Sequence, residues 1–318
     1  MRRSFFHIVV ACGLAAASLA TPSAGQRQGG AAPAVPAQTN TDHDIASTWF
    51  QLPAGMTFGR SVAVAADGKG QILFTRREVE PPIVVFNRAG QYIRGFGTGL
   101  FSADGGPHSI GVDREGFVWA TDRNANLVYK FTPEGTLVMT LGKKGVKGDN
   151  TSTDSFDGPS NVAVAASGDI FVTDGYGNSR IVKFSRDGKF LKIIGGQTGK
   201  EPGQFELPHA VLIDSKGHLV VTDRNNGRIQ IFDQEGTFIE QWTNLGIAQP
   251  SGLYLDADDT AWTNDNASDL VVKVKDGKVI ETIRGLGGRP HMIAVDNGVL
   301  YETGGPVNEL KRITKKRP

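Results

Sequence analysis

The sequence is poor in the features that mark several classes of protein. Cys12 is the one cysteine among 318 residues, so the chain can form neither an internal disulfide nor a thiolate metal site. The 34 basic and 33 acidic residues nearly cancel, and without a basic excess we expect no nucleic-acid partner. No helical periodicity follows residue 58, and the apolar N-terminal run is too short to indicate a retained membrane span.

The N-terminus carries signals for export. MRRSFFHIVVACGLAAASLA combines a basic start, an apolar segment and a small-residue end, which predicts a signal peptide over residues 1–24. RRSFF resembles a twin-arginine signal, and a general secretory signal is the alternative; both predict a periplasmic or secreted protein. VVAC could instead be a lipoprotein signal acylated at Cys12, but the apolar segment continues past that residue and favours cleavage. Residues 25–43 are rich in Ala, Pro and Gly and predict a disordered linker.

The rest of the chain, residues 44–318, is built from an internal repeat. Each copy has a strand of alternating apolar residues, a turn with Gly, Asp or Asn, and a second strand. A third strand follows in every copy, and most copies add a fourth. Examples are SIGVDREGFVWATD, NVAVAASGDIFVTD and AVLIDSKGHLVVTD. Six such units predict an all-β protein, a six-bladed β-propeller.

The two ends of the repeat array complement each other. The last copy stops after its third strand, ELKRI, and STWFQLP (residues 47–53) precedes the first copy and could supply the missing strand. Pairing of an N-terminal strand with the last blade would close the ring, which favours a propeller over an open solenoid. We expect the protein to be a monomer.

Three of the six histidines occupy one repeat position. His108, His209 and His291 each follow a proline at the start of a first strand, in copies two, four and six. We place Arg60, Ser160 and Ser251 at that position in the other copies. First strands line the axis of a propeller, so imidazoles from alternate blades would form a triangle there, as in an open zinc site. The alternative is a strand-entry signature whose imidazole bonds a neighbouring carbonyl, but that does not explain why histidine skips alternate copies.

Loops after the second strands carry a further set of polar residues. Tyr176 lies between two glycines in DGYGNSR, where the chain can bring its hydroxyl to a ligand, although a surface turn is the common role of such a residue. Arg76, Arg123 and Arg224 fall at or next to one repeat position. They could pair with neighbouring carboxylates, or together hold an anionic substrate group.

These motifs resemble those of the peptidyl-α-hydroxyglycine α-amidating lyases, a branch of the NHL-repeat propellers. The resemblance rests on GPHSIGVDREGFVWATD, on FVTDGYGNSRIVKFSRDGKFL, and on PGQFELPHAVLID with VTDRNNGRIQIF. It implies a carbon–nitrogen lyase that cleaves a peptide-like α-hydroxyglycine hemiaminal into an amide and glyoxylate. It also implies zinc, or another divalent ion, on the three histidines, Tyr176 as general base or metal-proximal hydroxyl, and Arg76 and Arg224 as active-site arginines.

The sequence departs from the family at two positions. Met292 stands where the family has an aspartate that helps to hold calcium, so a calcium site is doubtful here. Gly177 replaces a cysteine of the Tyr176 loop. The alternative function is a non-enzymatic NHL-repeat scaffold for a peptide, glycan or protein partner. A lactonase-type hydrolase is disfavoured, because such a site is expected to use carboxylates around calcium.

Overall fold

The computed structural model describes residues 42–47, 49–304 and 309–316, which form six four-stranded antiparallel sheets. The sheets stand as blades around one axis, with the first strand of each blade against those of its neighbours. This arrangement confirms the predicted six-bladed β-propeller. The predicted signal peptide (1–24) lies outside the described residues, as does the predicted linker up to residue 41.

Within these residues, no helix is both long enough and apolar enough to cross a membrane.

Five blades are meanders of four consecutive strands. Blade one contains β2 (Arg60–Ala66), β3 (Gln71–Arg77), β4 (Ile83–Asn87) and β5 (Tyr92–Phe96). Blade two contains β6 (Pro107–Val112), β7 (Val118–Asp122), β8 (Leu127–Phe131) and β9 (Leu137–Gly142). Blade three contains β10 (Pro159–Val164), β11 (Ile170–Asp174), β12 (Arg180–Phe184) and β13 (Phe190–Gly195). Blade four contains β14 (Pro208–Ile213), β15 (Leu219–Asp223), β16 (Arg228–Phe232) and β17 (Phe238–Trp242). Blade five contains β18 (Pro250–Leu255), β19 (Ala261–Asp265), β20 (Val271–Lys275) and β21 (Lys278–Ile283).

The sixth blade joins the two ends of the described chain. It contains β22 (Pro290–Asp296), β23 (Val299–Gly304), β24 (Glu309–Lys315) and, as its outer strand, β1 (His43–Ala46). Ile45 pairs with Ile313 in this closure. The closing strand is therefore HDIA and not STWFQLP, and it begins at the last residue of the predicted linker. Trp49 of STWFQLP packs instead into the core, with its ring 5.2 Å from that of Tyr301.

In three of the blades, an aspartate shapes the turn between the first and second strands. Asp113 Oδ1 accepts hydrogen bonds from the N–H groups of Glu115 (3.0 Å) and Phe117 (2.9 Å). Asp67 does the same in blade one, and Asp214 in blade four. Such side-chain contacts mimic a backbone turn, so the aspartate marks equivalent positions in different blades.

The core lies between the blades, because each sheet buries both of its faces against the next. Large aromatic side chains fill these interfaces, and seven phenylalanines in the described part of the chain are completely buried. They are Phe74, Phe86, Phe131, Phe156, Phe171, Phe205 and Phe232. Each buried side chain of this size stabilises the fold by about 1.5–3 kcal/mol relative to an exposed one. The rigid ring that results holds the inner strands in fixed positions around the axis.

Candidate metal centre

The three predicted histidines each occupy a β-bulge at the start of an inner strand. In blade two, Pro107 pairs with Asp122 and Ser109 pairs with Thr121, which leaves His108 between them without a cross-strand partner. The register shifts at the same place around His209 in β14 and His291 in β22. A bulge bends the strand and re-aims the extra residue. Here it turns the three imidazoles toward one another.

The imidazoles meet, as the sequence predicted. Their ring centroids are 5.1 Å apart for His108 and His209 and 4.9 Å apart for the other two pairs. One nitrogen from each ring lies within 4.8 Å of the other two. His108 and His209 are fully buried, and His291 lies at the more open side of the cluster.

The other nitrogen of each ring, Nδ1, is bound to the neighbouring blade. The acceptors for His108, His209 and His291 are the carbonyl oxygens of Ser160 (2.8 Å), Ser251 (3.0 Å) and Val62 (2.8 Å). A carbonyl oxygen only accepts, so Nδ1 carries the hydrogen and the Nε2 lone pair stays available. A hydrogen bond to a neighbouring carbonyl, the alternative role for these histidines, therefore accounts for Nδ1 of each ring. It does not account for the three Nε2 atoms, which point inward.

Burial keeps these imidazoles neutral near pH 7. It lowers the pKa of His108 and His209 well below the usual value. It lowers the pKa of His291 to about 4, and the positive charges of Arg224 and Arg77 act in the same direction. Metal-binding imidazoles must be deprotonated, and their second nitrogen is commonly held by a carbonyl. The donor set fits zinc or a similar divalent ion.

Tyr176 lies beside the three histidines. Its hydroxyl is 2.9 Å from Nε2 of His108 and 3.2 Å from Nε2 of His209. The segment that packs against Tyr176 depends on glycine: at Gly158 (φ +80°), just before β10, an added Cβ would lie 2.6 Å from Cβ of Tyr176. A side chain at Gly177 would meet the carboxylate of Asp157, so the family's cysteine has no room in this loop.

Two arginines hold the tyrosine. Arg224 Nη1 donates to the Tyr176 hydroxyl at 3.4 Å, and its Nη2 donates to Oδ1 of Asn266. The guanidinium carbon of Arg123 lies 4.7 Å from the centre of the tyrosine ring. Arg224 thus lies where the sequence predicted, and Arg123 joins it.

Arg76 does not reach the site, so its predicted role as an active-site arginine is wrong. Its side chain is buried, and its three nitrogen groups donate to the carbonyl oxygens of Pro81, Thr57 and Glu80 at 2.5–2.7 Å. Its place in the strand is that of Asp122 in blade two. Arg76 therefore ties a loop to the end of blade one.

Arg77, the next residue along the strand, lies at the site instead of Arg76. Its Nε donates to the Pro107 carbonyl at 2.8 Å, and its positive charge acts on His108 and His291. Burial, with the positive charges of Arg123 and Arg60, lowers the pKa of Arg77 to about 10, so it stays charged at neutral pH.

The turn aspartates explain why the sequence alignment chose Arg76 in place of Arg77, and Arg60 in place of Val62. Counted from Asp67, Asp113 and Asp214, the tenth residue onward is Arg77, Arg123 and Arg224. The fifth residue back is Val62, His108 and His209, so Val62 and not Arg60 occupies the histidine position in blade one. The sequence alignment placed the first strand of the first copy two residues out of register, because it matched Ser61 with Ser109, whereas Ala63 is the structural equivalent of Ser109. Anchoring on the aspartates would have found Arg77.

Below the histidines the channel is apolar. Met292 is buried in a cluster with Ala63 and Ile110, where the resemblance implies a calcium-binding aspartate. Farther along the inner strands, a cavity is lined mainly by small and branched apolar side chains, with Tyr254, Asp113 and Arg114 also in its wall.

The chain was compared with protein-family models, with curated proteins and with solved structures. The NHL repeat model matches residues 156–184 and 205–232. These two segments therefore match the NHL repeat. It is 33% identical to human NHL repeat-containing protein 3 over 227 residues, 65% of this chain and 64% of that protein. It is 39% identical to a probable peptidyl-alpha-hydroxyglycine alpha-amidating lyase of Caenorhabditis elegans over 153 residues, 47% of this chain and 42% of that one.

These matches confirm the resemblance to the NHL-repeat proteins and the amidating lyases. The chain spans less than two thirds of the length of these curated relatives. Among solved structures, a gluconolactonase from Xanthomonas campestris superposes with a TM-score of 0.64 at 14% identity, covering 87% of this chain and 91% of that one. At that identity the likeness establishes the fold alone.

Proposed function

We propose that the chain is a metal-dependent carbon–nitrogen lyase acting on α-hydroxyglycine-type hemiaminals. The reaction converts R–CO–NH–CH(OH)–COO⁻ into the amide R–CO–NH₂ and glyoxylate. The observation that carries the proposal is the cluster at the axis, in which the Tyr176 hydroxyl contacts two histidine Nε2 atoms and Arg224. A scaffold that only binds a partner has no need of this combination.

The three histidines would hold the metal through Nε2, since each Nδ1 is already engaged by a carbonyl. A divalent ion bound there would supply a Lewis acid that polarises a substrate oxygen. The protein's own contribution is to keep three neutral imidazoles facing one point.

Tyr176 would move the proton. As a phenolate it would accept the hydroxyl proton of the substrate; the C–O bond gains double-bond character as the C–N bond breaks, and the proton passes to the departing amide nitrogen. Arg224 donates to the oxygen that carries the charge, and Arg123 lies against the ring. Both contacts stabilise negative charge there.

The arginines beside the tyrosine would also orient the substrate. Glyoxylate leaves with the carboxylate of the substrate, and a guanidinium can hold a carboxylate through two parallel hydrogen bonds. Arg123 and Arg224 both contact Tyr176, so a substrate whose hydroxyl reaches this tyrosine would bring its α-carboxylate close to them. We assign the α-carboxylate to this pair.

A non-enzymatic scaffold is the second candidate, and the match to NHL repeat-containing protein 3 supports it. In that case the histidine cluster would bind a structural metal or none. We further propose that the protein is exported and acts as a monomer on a small peptide-like or α-hydroxy amide substrate.

The decisive experiment uses α-hydroxyhippurate. The purified protein is stripped with a chelator, reconstituted with zinc, and assayed for glyoxylate and benzamide, which should form in equal amounts above the spontaneous rate. The stripped protein is the control. If the zinc-loaded protein releases neither product above background, the lyase proposal is wrong for this substrate class and the scaffold gains support.

A further inference from the structure

A second group of positive charges lies at the mouth of the channel. A pocket of about 690 Å³ opens beside His291 and is formed by residues of blades one, five and six. Its walls carry the arginines Arg60, Arg77 and Arg289. Within the described part of the chain, these walls contain no aspartate or glutamate side chain. The volume lies in the range of small-molecule binding sites.

The cations of this pocket crowd one another. Arg77 and Arg60 both approach Gly105: a Cβ added there would lie 3.4 Å from Cδ of Arg77 and 3.5 Å from Nη2 of Arg60. Arg77 is only 8% exposed, and its Nε donates to the Pro107 carbonyl, which fixes the orientation of the guanidinium. Glu78 pairs with Arg60 at the rim. One carboxylate thus faces three cations, and burial together with like charge lowers the pKa of Arg77. An anion would relieve that repulsion.

We infer that this pocket binds a second anionic group of the substrate, a carboxylate on the acyl side of the hydroxyglycine amide. The inference rests on the proposed lyase function, because that function assigns the α-carboxylate to Arg123 and Arg224 and leaves the pocket beside His291 to the acyl portion. The preferred substrates are therefore N-acyl-α-hydroxyglycines whose acyl group is acidic. Arg77 anchors the carboxylate, and Arg60 and Arg289 attract it from the rim.

The test compares two substrates of similar size. Succinyl-α-hydroxyglycine carries the extra carboxylate, and butyryl-α-hydroxyglycine does not. We expect kcat/KM to be about ten-fold or more higher for the succinyl compound at low salt, since hydrogen bonds to charged groups are worth a factor of this order. The preference should shrink as ionic strength rises, because the rim arginines are exposed.

A double variant, R60Q/R289Q, tests the assignment. Both residues are exposed, so the fold should persist, which circular dichroism and thermal melting verify. The ratio of the two kcat/KM values should fall toward one. R186Q, which removes an exposed arginine paired with Glu115 on the surface, is the matched control and should keep the full ratio.

The remaining outcomes distinguish a failure of the subsite from a failure of the lyase function. A wild-type ratio near one, with both compounds turned over, overturns the subsite and leaves the lyase function intact. Equal losses on both substrates in R60Q/R289Q, with the ratio kept, show that the pocket holds the shared α-carboxylate, which also overturns it. If neither compound is turned over, the lyase function fails. Binding of the unreactive analogues succinylglycine and butyrylglycine then decides: tighter succinylglycine binding that R60Q/R289Q abolishes supports the subsite, and equal binding overturns it.

Discussion

The buried histidines make the stability of the metal-free protein depend on pH. Burial lowers the pKa of His291 from 6.5 to about 4. Between pH 6.5 and about pH 4, the unfolded chain is therefore protonated at this histidine and the folded chain is not. As a result, the free energy of unfolding falls as the pH falls through this range. A lowering of that size corresponds to about 3 kcal/mol for this residue. His108 and His209, whose pKa values are also lowered, add losses of the same sign.

Urea unfolding with a chelator present, between about pH 7 and pH 4.5, measures this loss. His291→Gln is the matched variant, because it removes one titrating ring and keeps every carboxylate whose protonation also changes stability. We expect the wild type to lose about 2–3 kcal/mol more than the variant over that interval. Parallel curves for the two proteins would refute the claim that His291 is held neutral by burial.

Three further predictions concern the metal, the base and the channel. His209→Ala should reduce bound zinc from about one per chain to none by elemental analysis, whereas His218→Ala, in a surface turn, should keep it; a fully loaded His209→Ala protein would disprove the three-histidine site. Tyr176→Phe should keep zinc and fold but lower kcat by about 10²-fold or more, whereas Tyr254→Phe, in the wall of the cavity farther along the inner strands, should not; unchanged turnover in Tyr176→Phe would exclude the base role. Calcium at about 1 mM should leave the melting temperature unchanged because Met292 supplies no oxygen ligand, and a clear rise would show that another calcium site exists.

The repeat pattern alone predicted most of the fold. Strands of alternating polarity, separated by glycine and aspartate turns, can bury their apolar faces only against like units, so six copies imply a ring of six blades. The same repetition placed His108, His209 and His291 on alternate blades. A position repeated in sequence is repeated in space, and the imidazoles therefore had to converge if the ring closed.

The closing strand could not be chosen from the sequence. Both HDIA and STWFQLP precede the first blade, and either could pair with β24 as far as local propensity is concerned. Trp49 decides between them in the folded protein, because its large ring fills space between blades one and six and leaves the preceding residues to form the outer strand.

What the sequence by itself determined is the number of blades, the alternation of the histidines and the loop that carries Tyr176, since each depends on local pattern. Only the tertiary structure showed that the turn aspartates mark equivalent positions, and therefore that Arg77 and not Arg76 reaches the site and that Val62 takes the histidine position in blade one. Adjacent residues of a strand point to opposite sides, so a shift of one residue exchanges a guanidinium facing the axis for one buried in a loop. That shift is set by a bulge and by the carbonyls of the neighbouring blade, which come into contact only when the ring is assembled.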